Sequence, residues 1–125
     1  MFQRHHQNSN SYKVKFNLDE RKRQSQTILA KYPCYVPVIV ECDSNVGVMK
    51  KQKFLVPYDV NCSHITIAIR NQLKIDSSKS LFIFYNNTII CPTDNVNQAY
   101  KKYLSEQNDG DLFFHIFVTS ENTFG

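Results

Sequence analysis

The sequence predicts an α+β fold, with two N-terminal helices followed by elements in the order β-β-α-β-α-β. Three observations carry that prediction. Runs rich in β-branched and aromatic residues recur at Tyr35–Cys42, Lys51–Val56, Ser80–Tyr85 and Asp111–Val118. Between them, Cys62, Ile65, Ile69 and Leu73 fall on one helical stripe, and Val96, Ala99, Tyr100, Tyr103 and Leu104 fall on another. Asp43-Ser44-Asn45, Asn86-Asn87 and Asn108-Asp109-Gly110 supply the turns that separate these runs.

Each element has a local reason. Residues 1–9 are polar and rich in Gln, His and Asn, and read as a disordered tail. Residues 10–31 read as a helical segment: a short helix from about Asn10 to Phe16, then a second over Asp19–Lys31. Leu18, Ile28 and Leu29 are the apolar points of the second helix, Arg21-Lys22-Arg23 its polar face, and Pro33 its stop. Tyr35–Cys42 is nearly continuous in apolar character, as a well-buried strand should be. Its Pro37 cannot donate a ladder hydrogen bond, so that position should face an unpaired side or a bulge. Lys51–Val56 is the returning strand of a hairpin, closed by Pro57. Asn61 or Ser63 can cap the middle helix, and Thr93 or Asp94 the last one. The organisation expected is a roll of the ubiquitin type over residues 32–118, with residues 119–125 as a flexible tail.

Composition excludes several classes. The chain has 125 residues, 42% hydrophobic and 21% charged, enough apolar material for one core without a staple. The longest apolar run, Leu81–Tyr85, is five residues, against about 20 for a membrane-spanning helix. The start lacks the apolar region of a signal peptide, so a cytosolic or nuclear protein is expected. The cysteines at 34, 42, 62 and 91 form no C-x-x-C pair, and no histidine stands at zinc-ligand spacing from them. No cofactor is implied. Net charge is +4, with +5 on residues 1–31 and −1 on the rest. That imbalance suits a solvated helix face or contact with an anionic partner. No nucleic-acid-binding motif accompanies it, so nucleic acid is not expected as a partner.

Several stretches, taken in order, resemble one family. They are Lys31-Tyr32-Pro33, Val36-Pro37-Val38-Ile39-Val40-Glu41, Lys53-Phe54-Leu55-Val56-Pro57-x-Asp59 and Ile69-Arg70. Leu81-Phe82-Ile83-Phe84-x-Asn86-Asn87, Gln98-x-Tyr100 and Glu121-Asn122-Thr123-Phe124-Gly125 follow. From about Ser11 to its last residue the chain resembles the autophagy-related protein 8 family, ubiquitin-like modifiers of the GABARAP and microtubule-associated light chain 3 type. The resemblance implies a ubiquitin-like β-grasp roll with two extra N-terminal helices. It implies conjugation of a C-terminal glycine to phosphatidylethanolamine on the autophagosomal membrane, by an ATP-using activating enzyme and a conjugating enzyme. A cysteine protease would act in delipidation. Cargo receptors and adaptors would be recruited through aromatic-x-x-aliphatic peptide motifs. The free protein would be cytoplasmic and the lipidated protein membrane-bound.

Carried onto this sequence, the resemblance assigns Gly125 to lipid conjugation and Phe124 and Arg70 to recognition of the tail by the enzymes. A terminal glycine suits threading through narrow enzyme channels, because it has no side chain to obstruct them. The peptide's aromatic pocket would be Ile28, Pro37, Lys53, Leu55 and Phe113, with Gln24 beside it where an acidic residue is usual. The aliphatic pocket would be Phe54, Val56, Pro57, Val60, Ile65, Ala68 and Ile69, widened by Ala68. Lys51 and Lys53 would attract an acidic flank, an effect weakened by salt. Gln72 replaces a usual basic residue, and Ile90-Cys91 two usual prolines.

Other readings of the same residues exist. Val56 and Ile69 also read as ordinary core, Lys51 and Lys53 as a solvated strand face, and Arg70 as one member of a salt bridge. A modifier of the autophagy-related protein 12 type, joined to a protein lysine, would share the roll and the terminal glycine. An unconjugated peptide-binding adaptor would share the groove. Catalysis would have to come from Cys62 with His64 or His115, but residues two apart on a helix point in different directions, so no enzyme is expected.

Overall fold

The computed structural model describes residues 11–121. The expected disordered tail of residues 1–9 therefore lies outside the described residues. In chain order the elements are α1 (Tyr12–Lys15), α2 (Leu18–Lys31), β1 (Tyr35–Cys42), β2 (Lys53–Pro57) and α3 (Ser63–Leu73). Then come β3 (Leu81–Tyr85), β4 (Thr88–Ile90), α4 (Val96–Ser105) and β5 (Phe114–Ser120). The five strands form one sheet in the order β2-β1-β5-β3-β4. β1 and β5 pair in parallel at its centre, and every other pair is antiparallel.

The sheet is covered on both faces. Val36, Val38 and Val40 of β1 join Phe114, Ile116 and Val118 of β5 and Ile83 and Tyr85 of β3 in the main core. Cys62, Ile65 and Ile69 of α3, and Val96, Tyr100 and Tyr103 of α4, close that core from one side. Successive strand residues point to opposite faces, so Ile39 emerges on the other side. There it packs with Tyr12 and Phe113, and Phe16 and Ile28 cover them. The N-terminal helices thus sit across the sheet from α3 and α4.

What attaches α2 differs from the sequence expectation. Arg21 is not part of a solvated polar face: it is buried, as is Ser25 one turn on. Arg21 Nε donates to Asp111 Oδ2 at 2.7 Å, and its Nη1 donates to the Phe16 carbonyl at 2.7 Å. Asp111 Oδ2 also accepts from His115 Nε2 at 2.9 Å, and Oδ1 accepts from the Phe113 N–H at 3.0 Å. An ionised carboxylate has only acceptors to offer, so His115 Nε2 carries the hydrogen. Ser25 Oγ accepts from the Leu112 N–H at 3.0 Å. At α2's N-terminus Asn17 and Glu20 form a reciprocal capping box. A polar spine therefore holds α2 to the segment that enters β5, and Ile28 adds an apolar point.

Boundaries moved elsewhere for local reasons. Asn86 and Asn87 both adopt positive φ, 46° and 69°, which twists a tight turn to match two antiparallel strands. A short strand, β4, follows it where only a turn was expected. Asn95, not Thr93 or Asp94, caps α4 by accepting from the Gln98 N–H at 3.0 Å. The residue at α3's N-cap is Cys62, with no side-chain cap bond of its own. Asn61 instead accepts from the Ser63 N–H at 3.2 Å. Asp111 to Phe113 precede the last strand, and β5 runs on to Ser120, two residues past its expected end at Val118 and into the expected tail. Thr119 and Ser120 are buried. Pro37 lies one residue before the first β1–β5 pair, Val38 with Phe114, and so costs that ladder nothing.

Candidate peptide groove and chain terminus

Among the described residues β2 pairs only with β1 and leaves its other edge open. Which of its backbone groups face that edge follows from the register. The Tyr58 N–H donates to the Cys34 carbonyl at 3.1 Å, and the Val40 N–H donates to the Gln52 carbonyl at 2.9 Å. Positions 52, 54, 56 and 58 therefore bond toward β1, and 53, 55 and 57 bond outward. The open edge offers the N–H and C=O of Lys53 and of Leu55, and the C=O of Pro57, whose nitrogen has no hydrogen. An extended peptide can add there as a further strand.

The two residue sets assigned to the pockets lie on opposite sides of β2. Lys53 stands opposite Ile39 and Leu55 opposite Pro37, on the face that α2 covers. Lys53 and Leu55 are exposed, and Ile28 is half-buried beside them. Gln24 is already engaged, since its Oε1 accepts from the Tyr12 hydroxyl. On the other face, Phe54 and Val56 point toward α3. Phe54 and Val60 are half-buried there against the main core, and Ala68 of α3 is half-buried too, while Pro57, in step with Lys53 and Leu55, is half-buried on the first face.

Five of the assigned residues do not line open surface. Pro37, Phe113, Val56, Ile65 and Ile69 are buried, each 6% exposed or less. Strand alternation turns Val56 inward, and Ile65 and Ile69, four apart on α3, both face the sheet. They lie beneath the half-buried residues, which are the accessible apolar surface on each face. If these residues are the two pockets, Lys53 and Leu55 precede Pro57 and Val60 in the chain, and an aromatic-x-x-aliphatic strand would lie parallel to β2.

Gln72 has a role that no motif in the sequence marks. From α3 it reaches the backbone just upstream of β2. Its Oε1 accepts from the Lys51 N–H at 2.9 Å, and its Nε2 donates to the Lys51 carbonyl at 3.2 Å. The Lys51 side chain itself is exposed.

Arg70 makes no ion pair among the described residues; it braces a turn. Its Nη2 donates to the Lys79 carbonyl at 2.6 Å and its Nη1 to the Asp76 carbonyl at 3.1 Å. That turn leads into β3, and the Glu121 N–H bonds the Ser80 carbonyl at 3.3 Å where the chain leaves β5. Replacing Arg70 with Ala should therefore lower stability by about 1–2 kcal/mol, measured by urea denaturation. It should also quicken amide exchange near Lys79. Lys, which lacks the fork, should recover only part of the loss. Gly125 and Phe124 lie outside the described residues.

The candidate thiol centre is not assembled. Cys62 is buried in the main core, His64 is exposed, and His115 is on the α2 side with Asp111. Burial pushes the Cys62 thiol up to about 11 and the Cys42 thiol up to about 12, the opposite of an activated nucleophile. Among the described residues no helix is long and apolar enough to cross a membrane.

Comparison with known proteins agrees with this architecture. A family model described as autophagy protein Atg8, ubiquitin-like, matches residues 20–125. Autophagy-related protein 8h of Arabidopsis thaliana is 36% identical over 117 residues, 92% of this chain and 95% of the relative. Autophagy-related protein 8 of Schizosaccharomyces pombe is 34% identical over 116 residues, 91% of this chain and 93% of the relative. The crystal structure of Trypanosoma brucei ATG8 superposes with a TM-score of 0.81 at 25% identity, covering 92% of this chain and 97% of that one.

Proposed function

The chain belongs to the Atg8 family of ubiquitin-like autophagy proteins, and on that premise we propose that it is a lipid-conjugated modifier that recruits peptide-bearing partners. Gly125 is the residue conjugated, through its carboxylate, to the amine of phosphatidylethanolamine. An activating enzyme and a conjugating enzyme carry it there, with Phe124 and the turn braced by Arg70 as recognition elements. A cysteine protease reverses the conjugation. Each buried lipid CH₂ contributes about 0.8 kcal/mol, and two chains hold firmly where one is marginal. One amide bond thus moves the domain from cytoplasm to autophagosomal membrane.

The observation that carries the recruiting half is the open edge of β2 flanked on each face by partly exposed apolar residues. Strand addition supplies affinity there, and those residues supply selectivity for one aromatic and one aliphatic anchor. Cargo receptors and adaptors with aromatic-x-x-aliphatic motifs are the partners this fits. Lys51 and Lys53 add attraction for acidic residues upstream, and that part should fade between low and high salt.

The test is reconstitution with ATP, activating and conjugating enzymes and phosphatidylethanolamine liposomes, read by intact mass spectrometry. The expected product is a phosphatidylethanolamine adduct that Gly125→Ala does not form. A protein-linked product in cell extract, with no lipid adduct, would instead favour conjugation to a lysine. No adduct of either kind, with a control modifier active, would leave a free adaptor.

A further inference from the structure

We propose that Gln72 acts as a built-in stop on the β2 edge, limiting the backbone that a bound peptide can pair with to Lys53, Leu55 and Pro57. The inference rests on the reading of that edge as a peptide groove. In an extended chain the N–H and C=O of one residue point the same way. The carboxamide of Gln72 meets both of these groups on Lys51, at 2.9 and 3.2 Å. It thereby makes the two bonds that a residue of a neighbouring strand would make. Gln52 directs its carbonyl to β1, so Lys51 faces outward in step with Lys53 and Leu55. The outward-facing backbone would otherwise extend one step upstream of β2, to Lys51. With Gln72 in place it is closed at Lys51 by a side chain fixed to α3.

The consequence is a division of labour along the ligand. A peptide running parallel to β2 meets free backbone groups from its aromatic anchor onward. Residues before the anchor find the Lys51 backbone occupied and reach only the ammonium groups of Lys51 and Lys53. Upstream recognition is then a matter of side-chain charge and not of strand pairing. Neutral upstream residues should add nothing.

Two peptides test this, both measured by calorimetry on the full chain. One is an aromatic-x-x-aliphatic core acetylated directly before the aromatic. The other carries four neutral Gly/Ser residues upstream. The wild type should bind the two within about twofold. Gln72→Ala frees one donor and one acceptor, so it should bind the longer peptide about fivefold tighter than the shorter, roughly the effect of one net hydrogen bond. Gln72→Asn, one methylene too short to span the gap, should behave like Ala. Amide exchange at Lys51 should quicken at least about tenfold in both variants while the core amides stay protected. A wild type that already prefers the longer peptide by about fivefold, or variants with the wild-type ratio, would overturn the inference alone. Failure of the wild type to bind either peptide would overturn the groove reading, and this inference with it.

Discussion

Replacing Asp111 with Ala should lower the unfolding free energy by about 3–5 kcal/mol. The carboxylate is 4% exposed and its partner Arg21 is 9% exposed. Removing the acid leaves the guanidinium buried with only the Phe16 carbonyl as acceptor among the described residues, and leaves the Phe113 N–H and His115 Nε2 without theirs. Breaking such a group on one side costs far more than replacing all of it. A joint change of Arg21, Asp111 and His115 to Met, Leu and Phe should recover much of the loss. The same carboxyl has a pH signature. Burial works to raise its pKa, but the hydrogen bond and charge of His115, then Arg21 and the Phe113 N–H, outweigh it and hold the group down to about 2 from 3.8. Because the folded value is depressed, its stabilisation is complete above the unfolded value and is lost as pH falls from about 4 toward 2. Over that window the loss is about 2 kcal/mol. Urea melts at stepped pH should show that slope in the wild type and a flatter one in Asp111→Asn.

Adjacent prolines in β2 should have opposite consequences. Phe54→Pro removes an N–H that bonds to β1 at the Val38 pair, and should cost about 3 kcal/mol of stability. Leu55→Pro removes an N–H that faces the open edge, so stability should change by less than about 1 kcal/mol. Its effect falls on binding: one donor is lost and a ring protrudes where the peptide backbone would lie. Affinity for an aromatic-x-x-aliphatic peptide should drop at least about tenfold. Thermal melts and fluorescence anisotropy on the two variants separate the effects. Loss of stability in Leu55→Pro equal to that in Phe54→Pro would mean the edge assignment is wrong.

The strands were legible where one physical signal dominates. Tyr35–Cys42 is apolar on both faces because both faces are covered, and its bounds emerge from the sequence unchanged. α3's stripe is likewise simple, since one face meets one core. The attachment of α2 was not legible, because its inward face is made with Arg21 and Ser25 and not with hydrophobic residues alone. Hydrophobic periodicity has no means of marking a charge whose partner is ninety positions away in the sequence. β4 escaped notice because three residues carry too little pattern.

The candidate site divides the same way. Its membership came from matched motifs, and the structure gathers those residues around one strand edge. Accessibility was not in the motifs. Pro37, Phe113, Val56, Ile65 and Ile69 are hidden by what lies over them, which depends on three-dimensional cover and not on residue type. The Gln72 clasp joins residues twenty-one apart through a side-chain amide, a pairing that nothing local encodes.

The last strand of the chain is the middle strand of the sheet. A pull on the chain end is therefore taken along β5, between a parallel ladder to β1 and an antiparallel one to β3. Such a pull slides β5 lengthwise, so many cross-strand bonds must yield together instead of one after another as in peeling an edge. A partner held at β2, as proposed, would be joined to that strand through two ladders. Resistance of this kind is governed by the rate of unfolding under tension and not by equilibrium stability. On the proposed function, the domain would then act as a mechanical link between the membrane at its end and the partner at its edge.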